Sequence, residues 1–108
     1  MMAREANRLR SDIVDYVNSL PGFYVFCYEI PNRRGYFKSE RLFPTGNPDI
    51  IGLYQGQFIG IEVKSKTDTL RQHQKEQLDT LWFFKAKILV ASSVSDVAEW
   101  CENLMREE

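Results

Sequence analysis

Histidine is nearly absent from this chain, with His73 alone among 108 residues. Cysteine is almost as scarce, and Cys27 and Cys101 form no C-x-x-C pair. Two such cysteines need no bridge, and buried reduced thiols are expected of both. No glycine-rich phosphate loop occurs, so no nucleotide cofactor is expected. No apolar run is long enough to span a bilayer. The start, Met1 to Glu5, lacks the apolar core of a signal peptide, which predicts a cytoplasmic protein with no membrane partner. Excess charge is also missing. A net charge of −1 excludes a basic, DNA-coating protein. There is no internal repeat, linker or low-complexity segment. What remains, 44% hydrophobic and 27% charged residues, suits one compact domain over residues 1–108.

Within that ordinary composition, two short runs stand out. Pro48-Asp49-Ile50-Ile51-Gly52 and Gly60-Ile61-Glu62-Val63-Lys64 read as buried strands, being rich in β-branched apolar residues. Each nonetheless carries charge, which is costly in such a run unless a metal or partner compensates it. Between them, Tyr54-Gln55-Gly56-Gln57 is a tight-turn candidate in which glycine supplies positive φ. If the loop is the two residues Gln55-Gly56, Tyr54 faces Gln57, and pairing back along the strands sets Asp49 opposite Glu62. Directly opposed residues share a face. Lys64, two residues further on, lies on that face as well. A three-residue loop would instead turn Glu62 to the other side. Two carboxylates so close repel unless a divalent cation sits between them, and oxygen ligands suit Mg²⁺ or Mn²⁺.

Around this hairpin the chain alternates between helical and extended patterns. Leu9, Ile13, Tyr16, Val17 and Leu20 recur at helical spacing and predict a helix from residue 3 to residue 19, stopped by Pro21-Gly22. Glu5 extends the stripe by one turn. It is either a favourable charge in a helix's first turn or a third acid aimed at the site. Residues 23–30 predict a strand apolar on both faces. Pro31 to Gly35 are expected to form a basic turn, with Tyr36 to Lys38 as a candidate short return strand. The Arg33-Arg34 pair is either a solvated tip or a contact to a phosphate backbone. After the hairpin, Asp68 or Thr69 is expected to cap a helix whose inner stripe is Leu70, Gln74, Gln77, Leu78 and Leu81. Gln74 is a polar member of that stripe, and a buried amide needs partners. His73 falls one position off it and is expected at the surface. The aromatics of 81–84 and Trp100 are expected in the core, with any surplus available as a dimer surface. Residues 86–91 predict a buried strand, and Val94, Val97, Ala98, Cys101, Leu104 and Met105 line a last helix capped by Ser93 or Ser95. The order predicts an α/β fold, a small mixed sheet with helices on both faces. Residues 64–87 carry six Lys/Arg against three Asp/Glu, which is either an ordinary mixed surface or a basic stretch beside the acids that would suit nucleic acid.

The Pro-Asp pair, then Glu-Val-Lys on the next strand, resembles the PD-(D/E)XK nuclease superfamily. Gly46-Asn47-Pro48-Asp49-Ile50-Ile51-Gly52, Gly60 to Ser65, Leu70 and Gln74 together resemble its VRR-NUC branch, over about Glu5 to Trp100. One departure shows: this branch usually has a glycine before the last strand, where this chain reads Phe83-Phe84-Lys85-Ala86. The resemblance implies a restriction-endonuclease-like αβββαβ core and a Mg²⁺- or Mn²⁺-dependent DNA endonuclease. It implies Asp49, Glu62, Glu5 and the carbonyl of Val63 as metal ligands. It implies Lys64 as the residue that orients water and stabilises developing charge, and Gln74 as a positioning group. Standalone members resemble Holliday junction resolvases, of phage or bacterial type, which implies a homodimer acting on branched DNA. Contacts to the DNA backbone are expected from Arg33, Arg34, Lys38, Lys66 and Arg71. Two other readings stand beside it. One is a nicking or restriction-like nuclease on plain duplex. The other is a non-catalytic nucleic-acid-binding module with a structural metal site, although such a site has no use for the adjacent Lys64 ammonium.

Overall fold

The computed structural model describes residues 3–27 and 44–107. Its elements run α1 (Ala3–Asn18), β1 (Phe23–Cys27), β2 (Ile50–Tyr54), β3 (Gln57–Val63), α2 (Gln72–Phe83), β4 (Lys87–Ala91) and α3 (Val94–Arg106). The four strands form one mixed sheet in the order β1-β2-β3-β4. β1, β2 and β3 run antiparallel, and β4 lies parallel to β3 after the α2 crossover. This is the αβββαβ arrangement of a restriction-endonuclease-like core, with α3 added.

Alternation along β3 divides the sheet into two faces. Ile59, Ile61 and Val63 join Ile13 and Val17 of α1 and Val97, Cys101 and Leu104 of α3 in the main core. Val25, Ile50 and Tyr54 complete that layer from the neighbouring strands. Gly60 and Glu62 point the other way, toward α2 and the segment leading into β2. Registry across this second face sets Phe26, Ile51, Gly60 and Ile88 in one row. β1 is buried on one face only. Phe23 and Val25 face the core, while Tyr24 and Phe26 are exposed, because α1 and α3 cover a single side of this edge. Cys101 is buried as expected, but Cys27, at the end of β1, is exposed.

The ends of α2 also depart from expectation. The helix begins after Arg71, so Leu70 precedes it, and neither Asp68 nor Thr69 is its cap. Asp68 closes a local turn instead: its carboxylate accepts from Ser65 N–H while its own N–H donates to Ser65 Oγ. At the other end Trp82, Phe83 and Phe84 are 70%, 69% and 74% exposed rather than in the core. The inner stripe ends at Leu81, and the next residues rotate off it. Lys85 takes φ +76° where a glycine was expected. Its N–H donates to the Trp82 carbonyl at 2.9 Å and Ala86 N–H donates to Leu81 at 3.0 Å, the pattern of a Schellman cap with lysine in the left-handed position.

Candidate active site

Gln55 and Gly56 adopt φ +52° and +78°, the pair of positive values that a two-residue hairpin turn demands. Tyr54 therefore pairs with Gln57, and Ile50 pairs with Ile61. One step further along the strands, Asp49 stands opposite Glu62. The Asp49 carboxylate (Oδ2) accepts a hydrogen bond from Val63 N–H at 3.0 Å, which ties the start of β2 to the end of β3. Lys64 Nζ lies 3.8 Å from Glu62 Oε2. The three charged side chains expected on one face are on one face.

Two close packings hold this geometry. Pro48 is fully buried against Gly60, where a Cβ would come within 2.7 Å of its Cγ and 3.0 Å of Ile88 Cδ1. The missing side chain on β3 is what lets the proline seat itself and aim Asp49. Gly46, at φ +86°, runs against the first turn of α2, where a Cβ would approach the His73 carbonyl oxygen to 2.5 Å. Gln77 Nε2 donates to Asn47 Oδ1 at 2.8 Å, and Asn47 Nδ2 donates to the Pro44 carbonyl at 2.7 Å. The segment before β2 is thereby fastened to α2.

Gln74 serves two partners from α2. Its Oε1 accepts from Arg71 N–H at 2.9 Å, capping the helix, and its Nε2 donates to Glu62 Oε2 at 3.2 Å. The amide on the inner stripe thus finds its partner in the acid pair. Glu62 is 3% exposed, and its Oε1 is buried without a hydrogen-bond partner. Burial, and behind it the Asp49 charge, push the Glu62 carboxyl up to about 7 against the pull of Lys64. A buried carboxylate oxygen left open, with a second carboxylate close enough to act on it, is chemically suited to a hard divalent cation, so the donor set fits Mg²⁺ or Mn²⁺.

Glu5 is not brought to this pair. It is exposed in the first turn of α1, ahead of Leu9, the first residue of the helix that packs on the core. Among the described residues, no three Asp, Glu, His or Cys side chains gather as a cation site. What α1 does bring is Arg10, whose Nε lies 3.5 Å from Asp49 Oδ2. Sequence reasoning passed over this arginine, although its place beside Leu9 at the edge of the buried stripe was a usable sign. Lys66 and Arg71 are exposed near the acids in sequence, and His73 is exposed on α2. Arg33, Arg34 and Lys38 lie outside the described residues.

The fold is of the α/β class with a restriction-endonuclease-like core, and a solved structure sharpens that statement. The chain superposes on a protein described as "VRR_NUC domain" with a TM-score of 0.68 and 19% sequence identity, covering 91% of this chain and 95% of that one. The likeness at this identity is one of fold, and it agrees with the family suggested by the motifs around Asp49, Glu62 and Gln74. No family model matches the chain, and no curated protein matches it. No helix among the described residues is long and apolar enough to cross a membrane.

Proposed function

We propose that this chain is a metal-dependent DNA endonuclease that hydrolyses phosphodiester bonds, selective for branched DNA. One observation carries the proposal: Asp49, Glu62 and Lys64 converge on one face with a buried Glu62 oxygen left unpartnered. A purely structural ion pair would have no reason to oppose two carboxylates and leave one acceptor open.

Asp49, Glu62 and the Val63 carbonyl would hold Mg²⁺ or Mn²⁺. Such an ion lowers the pKa of bound water and draws charge from phosphate oxygens. The remaining work falls to the chain itself. Lys64, two residues beyond Glu62, supplies an ammonium that orients the attacking water and offsets the negative charge gathering on the phosphate oxygens. Gln74 fixes the Glu62 carboxylate, so that its second oxygen keeps one direction. The Val63 N–H does the same for Asp49. Lys66 and Arg71, both exposed, would contact the DNA backbone, by shape rather than by base identity.

Branched DNA is favoured over plain duplex because the described residues offer few side chains for reading base edges. A two-fold homodimer would offer two sites to the two strands of a four-way junction. The test is cleavage of a four-way junction and of linear duplex, side by side in Mn²⁺, with Lys64→Ala as control and light scattering for the oligomeric state. Junction cleavage by a dimer, reduced about 10²–10³-fold in the variant, supports the reading. Equal cutting of linear duplex by a monomer replaces it with the nicking reading. No cleavage of either, with DNA binding intact, leaves the binding-module reading.

A further inference from the structure

The Asp49 carboxylate forms one rim of a groove of about 490 Å³ between α1 and the end of β1. Its volume falls within the range of small-ligand sites. The groove begins where the acid pair ends, and no role assigned above uses it. Its lining is mixed in a particular way. Val14 supplies apolar surface from α1, and Phe26, on the uncovered face of the edge strand, lines the groove as well and is 42% exposed. Asn7, Ser11 and Asp15 supply hydrogen-bonding groups from successive turns of α1. Arg10 sits between them and the acids. Its Nε faces Asp49 at 3.5 Å, and its Nη1 donates to Asn7 Oδ1 at 2.9 Å. A guanidinium carries five N–H donors, so these two contacts leave donors for a phosphate oxygen.

We infer that this groove receives one unpaired nucleotide of the strand that Asp49 and Glu62 cut. The inference rests on the nuclease reading and narrows its substrate. A phosphate neighbouring the reacting one meets Arg10. The sugar and base enter the groove against Phe26, a π face on which any base can stack. Asp15 accepts from an exocyclic amino group, and Asn7 and Ser11 serve either kind of base edge. An anion alone would not need the aromatic floor, and the Asp15 carboxylate would repel it. A paired base cannot enter, because it is held in the stack; a nucleotide must be splayed out first. Selectivity for branched DNA then has a local origin. The enzyme favours strands that already leave the helix beside the cut, and does not depend on sensing the whole junction.

The experiment uses the full chain with Ca²⁺ in place of Mg²⁺, so that binding is read without turnover. One DNA is a duplex carrying a single unpaired 2-aminopurine; the other is the same duplex fully paired. Wild type should bind the first roughly tenfold tighter, the worth of one stacked base, with a change in 2-aminopurine fluorescence. Ser11→Trp fills the groove from an exposed position and should abolish both the preference and the fluorescence change while leaving paired-duplex affinity in place. Phe26→Ala should reduce the preference by a similar factor, and it serves if Ser11→Trp fails to fold by circular dichroism. Equal affinity of wild type for the two DNAs overturns the inference, as does a folded Ser11→Trp or Phe26→Ala that keeps the full preference. Mn²⁺ calorimetry on the same samples separates the two readings. Intact metal binding without the nucleotide preference removes the groove alone. Loss of metal binding and of all DNA binding removes both.

Discussion

Asp49 holds the backbone N–H of Val63, the residue after Glu62, at 3.0 Å. The carboxylate that repels Glu62 therefore also fixes the strand that carries it. That coupling links the two acids, and burial beside Asp49 makes the protein sensitive to the protonation of Glu62.

The first prediction follows from that sensitivity. The Glu62 carboxyl titrates near 4.5 when unperturbed and is pushed up to about 7 in the fold, first by burial and then by Asp49. Between those values the folded protein binds more protons than the unfolded chain. Stability of the metal-free protein should therefore fall as pH rises through this window, by at most about 3 kcal/mol. Glu62→Gln should flatten that part of the profile. Urea melts from pH 4.5 to 8 in chelator, wild type beside the variant, measure the difference. A wild-type profile parallel to the variant's would contradict it.

The second concerns the cation. Asp49→Ala and Glu62→Ala should each weaken Mn²⁺ binding by more than about a hundredfold in calorimetry, since each removes a charged oxygen ligand. Wild type should gain thermal stability from Mn²⁺ at pH 8, where Glu62 is ionised, and lose it on chelation. Neither variant should show that gain. Undiminished Mn²⁺ binding in both would end the assignment of this pair as the metal site.

Some of this was legible in the chain because local rules fixed it. A two-residue turn at Gln55-Gly56 sets the registry of every residue behind it, so Asp49 and Glu62 could be paired from sequence. Gln74 stood out as an amide on an apolar stripe. Other features were set by tertiary context. Thr69 had the sequence of a cap, yet Gln74 caps α2 from inside and the helix starts later. Glu5 continued a helical stripe, but the core ends before reaching it. Arg10 stood at the edge of the α1 stripe beside Leu9, but that place alone could not name its partner, which lies on the segment leading into β2, far along the chain. The aromatic run after Leu81 looked like core because hydrophobicity alone cannot say where a helix outruns its sheet.

The departure at Lys85 gives the third prediction. A non-glycine residue at φ +76° is strained, and the Schellman hydrogen bonds hold it there. Lys85→Gly should relieve that strain, less the added freedom of the unfolded chain, for a gain of about 0.5–1 kcal/mol. Thermal melts would show a rise of a few degrees, about what this energy produces in a domain of this size. An unchanged or lower midpoint would mean that the lysine's own contacts outweigh the backbone strain. Metal binding, at the opposite end of β3, should not change.

The fourth prediction separates the two tasks of Gln74. Its Oε1 caps α2 through Arg71 N–H, and its Nε2 steadies Glu62. Gln74→Glu keeps an acceptor for the cap, and a carboxylate there suits a helix N-terminus. It also replaces a donor with a negative charge beside Glu62. The helix should therefore survive while the acid pair suffers. Near pH 5, where Glu62 is protonated, the variant should match wild type within about 0.5 kcal/mol. At pH 8, without metal, it should be less stable by about 1–3 kcal/mol, the cost of a like charge and a lost bond at a buried group. Divalent cation should restore most of that loss, because a third carboxylate helps a cation site that two occupy. Gln74→Leu loses both tasks, so it should be destabilised at both pH values and gain nothing extra from Mn²⁺. Chemical denaturation of the two variants at two pH values, with and without Mn²⁺, measures all of these differences. Wild-type stability of Gln74→Glu at both pH values, with only Gln74→Leu destabilised, would mean that Gln74 acts on the helix alone and that Glu62 is held by its strand.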